Sequence, residues 1–259
     1  MTRPHDAIVE DQFGAQAKAY VASPVHAAGE DLDEVAAIAE REKPGRAADL
    51  GAGGGHVAYR LAAHARSVTA IDLSQKMLEA IRETARQRGL QNIETCVAAA
   101  EDLPFEDASF DMLACRFSAH HWRDLDAGLR EARRILKPGS TAMFIDVVSP
   151  AHPVFDTHLQ AVELLRDPSH VRDYSEAEWM AALARAGFRV RGTRKRRLRM
   201  DYPSWVDRMR TSEAHRAAIR SLQQWASADT AAYFAIEPDG SFSIDTLQVE
   251  VSTCRARSL

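Results

Sequence analysis

The sequence predicts an α/β protein built on a doubly wound, mostly parallel sheet of seven strands, with the last strand antiparallel and with helical lid segments. Apolar runs alternate with amphipathic stretches up to about residue 150, a glycine-rich loop follows the first run, and an alternating run lies near the C-terminus. Such regular alternation favours parallel strands with helices on both faces of the sheet.

The first strand is predicted over "RAADL" (46–50), and the segment after the glycines has Val57, Leu61 and Ala62 at helical spacing. "SVTAIDL" (67–73) predicts the second strand. The helix that follows it begins after Ser74 as N-cap and ends at Gly89.

The same pattern then repeats. It predicts, in order, a strand over "NIETCVAA", a strand over "FDMLACRFS", a helix over "DLDAGLREARRILKPG" stopped by Pro138 and Gly139, and a fifth strand over "TAMFIDVV". Beyond Val148, we expect helices over "PVFDTHLQAVELLRD" and "SEAEWMAALARAG", then strands over "FRVRGTRKRRLRM" and "SFSIDTLQVEVSTC".

These elements suggest a single domain. We expect an N-terminal helical lid over 1–42, a ligand-binding core over 43–150, the remainder of the sheet over 151–199 and 241–259, and a helical insertion over 200–240.

Composition is that of an ordinary globular chain of 259 residues, with 33 basic and 37 acidic side chains. Nothing in it requires a nucleic acid or a membrane, and the N-terminal stretch has no apolar signal region, so we expect a cytoplasmic protein. Cys96, Cys115 and Cys254 lie far apart and in no CxxC arrangement, which indicates reduced thiols and no metal site.

The glycine loop "DLGAGGGH" leaves backbone N–H groups and a helix N-terminus at a crevice, which suits a carboxylate, a phosphate or a nucleoside. A dinucleotide fingerprint would have a third glycine where His56 stands, and no Lys-Ser or Lys-Thr completes a phosphate loop. Asp72 follows Gly51 by about 20 residues, the spacing that brings an acid to ribose hydroxyls. Alternatively, Asp72 only caps the next helix.

Four segments together resemble the motifs of class I S-adenosylmethionine-dependent methyltransferases, in order and in spacing. They are "DLGAGGGH", "AIDLSQKML", "AAAEDLPFEDASFDMLACRFSAHHW" and "LREARRILKPGSTAMFIDV". Among these Rossmann-like enzymes, "EDLPFEDASFD" and "REARRILKPG" are most similar to the ubiquinone/menaquinone-type methyltransferases of small molecules. The resemblance implies S-adenosylmethionine as the cofactor.

Carried over residue by residue, the resemblance implies a cofactor site in which Asp72 takes the ribose and Asp49 holds the ammonium. The remaining implied contacts are Gly51, Ala52 and Gly53 around the methionine part, Leu73 and Met77 beside the adenine, Ala100 and Glu101 at its edge, and Arg116 at the end of the fourth strand. Ala99 stands where the family often has Asp, and Ser140 replaces the second glycine of "KPGG".

An acidic acceptor needs a base, and His120 and His121 follow the fourth strand at the carboxyl edge of the sheet. We predict that His121 acts on the acceptor, because Trp122 beside it could stack on a flat molecule, and that His120 is structural. The alternative is that both histidines only pack or position the cofactor.

Further acceptor contacts are predicted at Tyr20, at Asp146 and, in the loop "RDPSHVRDY", at Arg166, His170 and Arg172. Surface salt links are the alternative for the loop. Asp146 with His152 and His158 could suggest a metal, but no second acid completes the set. The basic run "RVRGTRKRRLR" is more typical of a charged strand edge than of a nucleic-acid surface.

The sequence therefore predicts methyl transfer to a small, aromatic or quinone-like acceptor, on carbon, oxygen or nitrogen. The acceptor's identity and the oligomeric state stay open. Two alternatives remain, a non-catalytic S-adenosylmethionine-binding protein and a nicotinamide-dependent oxidoreductase.

Overall fold

The computed structural model describes residues 4–14 and 29–254, and a seven-stranded sheet forms the centre of the described chain. Its strands are β1 (Arg46–Leu50), β2 (Ser67–Asp72), β3 (Ile93–Val97), β4 (Phe110–Arg116), β5 (Leu136–Val148), β6 (Phe188–Met200) and β7 (Phe242–Thr253). They lie in the order β3-β2-β1-β4-β5-β7-β6. β7 is antiparallel to both of its neighbours, and the other pairs are parallel, which confirms the predicted sheet.

Ten α-helices in the described ranges surround the sheet. They are α1 (His5–Gly14), α2 (Glu30–Glu42), α3 (His56–Ala62), α4 (Gln75–Gln87), α5 (Leu125–Ile135), α6 (Pro153–Arg166), α7 (Glu176–Arg185), α8 (Tyr202–Arg208), α9 (Glu213–Gln224) and α10 (Ala228–Phe234). The predicted N-cap of α4 is confirmed, because Met77 N donates to Ser74 Oγ at 3.4 Å.

One predicted boundary is wrong. α5 ends at Ile135 rather than at Pro138 and Gly139, and Leu136 already has extended backbone as the first residue of β5. The reason is tertiary: Leu136 is buried and lies opposite Phe110 of β4, so pairing in the sheet overrides continuation of the helix.

Three apolar clusters hold these layers together. On one face of the sheet, α5 and α7 contribute Leu129 and Trp179; on the other, α2 and α3 contribute Leu32 and Leu61. The third cluster packs the 200–240 segment against α6 and β7, with Trp205 among its members. Burial of these side chains keeps the carboxyl edge of the sheet in a fixed arrangement.

β6 is an edge strand, and its side chains are largely exposed. Its arginines meet acids from neighbouring elements: Arg196 Nη2 lies 2.7 Å from Glu34 Oε1, Arg194 contacts the same carboxylate, and Arg199 Nε lies 2.6 Å from Glu237 Oε1. This is the charged edge that the sequence predicts, and charges of this kind discourage pairing with another sheet.

None of the helices within the described ranges is long and apolar enough to cross a bilayer.

Candidate active site

A cavity of about 310 Å³ lies at the carboxyl edge of the sheet, where the strand order reverses between β1 and β4. In open α/β sheets, ligands bind at such a reversal because the loops after the two strands diverge. The walls of this cavity come from the glycine loop after β1, the turn after β4, helix α1, the loop after α6, and β6 with α8.

The glycine loop forms one wall. Gly51 and Gly53 have φ angles of +71° and +49°, and Gly51 N and Ala52 N both donate to Ile71 O at 2.9 Å. A Cβ at Gly51 would lie 1.8 Å from Ser118 Oγ, so only glycine fits there, whereas a Cβ at Gly53 would meet open space.

Asp72 joins the glycine loop to helix α4. Its Oδ2 accepts a hydrogen bond from Gly53 N and its Oδ1 accepts one from Ser74 N, both at 2.8 Å. Burial raises the pKa of Asp72, and its carboxylate borders the cavity. Since each carboxylate oxygen has a second lone pair, Asp72 can still accept hydrogen bonds from a ligand diol.

Asp49 lies deeper, at the end of β1. Its Oδ2 accepts from Ala58 N at 2.8 Å, and burial raises the pKa of Asp49 to about 7. A cation next to this carboxyl would favour its ionised form, so Asp49 is suited to hold an ammonium group.

A buried ion pair covers the same end of the cavity. Arg116 Nε donates to Asp31 Oδ2 at 2.5 Å, which ties the end of β4 to helix α2. No motif distinguishes Asp31 from the other acids of α2, so its role cannot be recognised from the sequence.

The remaining predicted cofactor contacts divide into two groups. Leu73, Ala52, Ala100 and Glu101 border the cavity, and Glu101 Oε1 accepts from Arg123 N at 2.8 Å. Met77 lies in the first turn of α4, is fully buried, and is not among the described residues that border the cavity.

His120 forms an ion pair at the turn after β4. Its Nδ1 donates to Asp146 Oδ1 at 2.6 Å, and Val147 N donates to the same oxygen at 2.9 Å. Burial disfavours the charged ring, but the adjacent Asp146 carboxylate outweighs it and raises the pKa of His120 to about 9. His120 is therefore an imidazolium at neutral pH. Asp146 itself does not border the cavity, whereas the His120 residue that it contacts does.

His121 has the opposite character. Its Nδ1 lies 3.1 Å from Ser169 O; a carbonyl oxygen only accepts, so Nδ1–H donates and Nε2 keeps a lone pair. Burial, together with the charge of His120 at a ring distance of 4.1 Å, lowers the pKa of His121 below the ordinary 6.5. His121 is neutral at neutral pH and can accept a proton at Nε2.

The sequence-predicted loop after α6 contributes only one of its three basic residues to the cavity. Arg166 borders it, with Nε donating to Trp205 O at 3.0 Å. His170 is buried, with Nε2 3.0 Å from Gln160 Oε1, and Arg172 forms its ion pair with Asp156 at 3.2 Å.

Three acids of the same region that were not predicted from the sequence also border the cavity: Glu163, Asp167 and Asp173. Glu163 lies in α6, and Asp167 and Asp173 lie in the polar loop after it; the sequence of neither segment matches a motif. Only the packing of α6 and this loop against the turn after β4 brings them to the site.

Trp122 borders the cavity, and contacts with Ser118 and with α5 hold its ring in place. Its Nε1 donates to Ser118 Oγ at 3.3 Å, and a Cβ at Gly128 of α5 would lie only 2.4 Å from the ring. Tyr20 lies outside the described residues.

The donor set offers no metal site among residues 4–14 and 29–254. Asp146 is engaged by His120. The His152 and His158 rings lie 4.7 Å from Phe155 and 5.3 Å from Phe234, respectively.

The cavity does fit S-adenosylmethionine. An open face at Gly53 permits close approach to the main chain, Asp49 matches an ammonium, and Asp72 matches a ribose diol. Glu101 and Ala100 border the same cavity and are the residues expected at the edge of the adenine.

Comparisons with known proteins identify similar sequences and a similar fold. A family model described as Methyltransferase domain matches residues 48–144. The uncharacterized protein YafE of Escherichia coli strain K12 is 45% identical over 196 residues, covering 76% of this chain and 95% of that protein. The uncharacterized methyltransferase YcgJ of Bacillus subtilis strain 168 is 35% identical over 199 residues, covering 77% of this chain and 79% of that protein.

The crystal structure of the Bacillus YcgJ protein superposes with a TM-score of 0.83 at 29% identity, covering 88% of this chain and 99% of that one. A ubiquinone/menaquinone biosynthesis C-methyltransferase, UbiE of Brucella anthropi, is 36% identical over 127 residues, covering 47% of this chain and 48% of that protein.

Proposed function

We propose, from the premise that this chain belongs to the class I S-adenosylmethionine-dependent methyltransferases, that it methylates a small aromatic or quinone-like acceptor with His121 as general base. The family supplies the reaction and the cofactor. When bound, S-adenosylmethionine supplies an electrophilic methyl group on a sulfonium, and its transfer leaves S-adenosylhomocysteine. The remaining task of the protein is to bind, align and deprotonate the acceptor.

The glycine loop and its two acids would fix the methyl donor. Gly51 and Gly53 allow the main chain to approach it, Asp72 would accept from the ribose hydroxyls, and Asp49 would pair with the ammonium. Alignment of the acceptor for in-line attack can then supply up to about 7 to 11 kcal/mol of the barrier.

The acceptor side of the cavity supports a flat, apolar molecule. The apolar side chains that border this part of the cavity are Phe13, Phe117, Val147, Leu198, Met200 and Trp205. The Phe13 ring lies edge-on to His121 at 5.0 Å, so an aromatic acceptor beside His121 would meet an apolar wall.

The observation that carries the proposal is the split character of the histidine pair. Neutral His121 can take the proton of an acidic acceptor at Nε2, and the His120 imidazolium beside it would stabilise the acceptor anion. The glycine loop, Asp49 and Asp72 would hold the S-adenosylmethionine that supplies the methyl group to the deprotonated acceptor atom.

The name of the Brucella relative gives independent support for the acceptor class, since it is a C-methyltransferase of ubiquinone and menaquinone biosynthesis. The match covers only 47% of this chain and 48% of that protein, so the acceptor proposal depends mainly on the cavity.

The test is a rate assay on the purified protein with S-adenosylmethionine and a panel of phenols and quinols, with S-adenosylhomocysteine and methylated product followed by mass spectrometry. His121→Asn is the informative variant, because an asparagine amide can still donate to Ser169 O but has no basic nitrogen at the Nε2 position. The expected loss in kcat is about 10²- to 10⁴-fold, with cofactor affinity kept.

His158→Asn is the matched control, since the His158 ring packs against Phe234 of the insertion. In the wild type, the rate should rise with pH through a pKa below the ordinary 6.5 of histidine. Equal rates and equal pH profiles for wild type and His121→Asn on an accepted substrate would refute the base assignment.

A further inference from the structure

Among the acids in the part of the chain that the structure describes, Asp173 is the one with a buried oxygen that lacks a hydrogen-bond partner. Its side chain borders the cavity and is only 1% exposed, and its Oδ2 has no hydrogen-bond partner among the described residues. Burying a carboxyl group without partners is unfavourable, so such a group indicates a missing ligand or a functional constraint.

The backbone around Asp173 is held firmly. Gln160 Nε2 donates to Asp173 O at 2.7 Å, and Asp173 N donates to Gln160 Oε1 at 3.1 Å. Two residues earlier, Val171 N donates to His120 O at 2.8 Å. These bonds fix the position of the carboxyl group relative to the histidine pair, although none of them involves the carboxyl itself.

We infer that Asp173 determines acceptor specificity by binding a hydroxyl substituent of the acceptor at a position away from the methylated atom. This inference rests on the proposed function, because it requires that the acceptor lie beside His121. A carboxyl group accepts a hydrogen bond from a hydroxyl in either protonation state, and that bond would satisfy the free Oδ2.

A hydroxyl fits this end of the cavity better than an ammonium. Arg166 Nη1 lies 3.2 Å from Glu163 and His120 Nδ1 lies 2.6 Å from Asp146, so both cations near Asp173 are already paired with acids. Burial raises the pKa of Asp173 and so favours its neutral form, which pairs better with a neutral hydroxyl than with a cation.

The test measures binding separately from chemistry. Calorimetry with excess S-adenosylhomocysteine would compare phenol with its three dihydroxybenzene isomers, 1-naphthol with its dihydroxy analogues, and aminophenols. The proteins are the wild type, Asp173→Ala, Asp173→Asn and, as the matched control, Asp126→Asn, which removes an exposed carboxylate paired with Arg185. Circular dichroism and S-adenosylhomocysteine affinity establish that each variant is folded.

We expect at least one diol to bind the wild type and Asp126→Asn about tenfold more tightly than its monohydric partner, and this factor to fall to about one in Asp173→Ala. Asp173→Asn, which keeps an acceptor oxygen, should retain part of it. Equal binding of diols and monohydric phenols to the wild type, no binding of any diol, or tighter binding of an aminophenol that Asp173→Ala abolishes would each overturn the inference.

The two proposals fail differently. If the diols show the Asp173-dependent preference but no phenol yields S-adenosylhomocysteine, the methyl-acceptor proposal is wrong while Asp173 remains a hydroxyl-binding residue. If phenols are methylated with a His121-dependent rate but without any Asp173-dependent preference, the proposed function stands and the inference about Asp173 is wrong.

Discussion

Replacing Gly51 with alanine should damage the glycine loop through two effects that the structure allows to be separated. Gly51 has a φ angle of +71°, where an L-residue costs about 1 to 2 kcal/mol. The new Cβ would also lie 1.8 Å from Ser118 Oγ and 2.4 Å from Ser118 Cβ, and such overpacking costs about 1 to 3 kcal/mol. The free energy of unfolding should therefore fall by roughly 2 to 5 kcal/mol.

The second effect can be relieved on the other side of the contact. Ser118→Ala removes Oγ but leaves the Cβ at 2.4 Å, so it should restore little, whereas Ser118→Gly removes both atoms. In the Ser118→Gly background, Gly51→Ala should cost only the backbone part, about 1 to 2 kcal/mol. The coupling energy of the cycle then measures the steric clash. The hydrogen bond from Trp122 Nε1 to Ser118 Oγ is lost in both the Ser118→Gly single variant and the double variant, so its loss cancels in the cycle.

The assay is urea unfolding of the four proteins of the Gly51→Ala and Ser118→Gly cycle, with S-adenosylmethionine affinity measured by calorimetry on each. Affinity should fall in Gly51→Ala and recover in part in the double variant. If Gly51→Ala costs the same in both backgrounds, the steric part of the reasoning is wrong; if it costs nothing, the loop conformation itself is wrong.

Three further predictions concern the cofactor contact, the N-terminal segment and the unsatisfied acid. Asp72→Ala should weaken S-adenosylmethionine binding by about 1 to 3 kcal/mol in a protein that remains folded, and unchanged affinity in calorimetry would remove Asp72 from the site. Deleting residues 1–28 should reduce turnover and acceptor binding more than stability, because Phe13 borders the cavity and closing segments exclude water; a truncated protein with full activity would show that the segment is dispensable. Asp173→Ala should raise the free energy of unfolding at pH 7.5 by about 1 to 3 kcal/mol. Burial raises the pKa of Asp173 well above 3.8, so the folded protein retains a proton that the unfolded chain releases, and this cost fades as pH falls towards 4. The gain measured for Asp173→Ala should thus be smaller at pH 5 than at pH 7.5, and an equal gain at both would contradict the assignment.

The sheet and the position of the proposed cofactor contacts follow from the sequence because their determinants are local. Alternating apolar runs fix strands, Ser74 caps the helix after β2, and the position of Asp72 at the end of that strand is set by the spacing of a single βαβ unit. The motif order also indicated the family, and family membership decides between methyl transfer and the two alternatives that the residues alone left open.

The tertiary structure alone decided the arrangement around the histidine pair, where the acceptor is proposed to bind. His120 and His121 are adjacent residues of the same type. Their different protonation states depend on their hydrogen-bond partners, Asp146 at 26 residues from His120 and Ser169 at 48 residues from His121. Asp173 reaches the cavity because Gln160 and the carbonyl of His120 hold its loop, while Arg172 of the same loop pairs with Asp156. Long-range packing decides whether such a side chain borders a cavity, and the charges around it decide its protonation state. The pattern of neighbouring residues in the sequence contains neither.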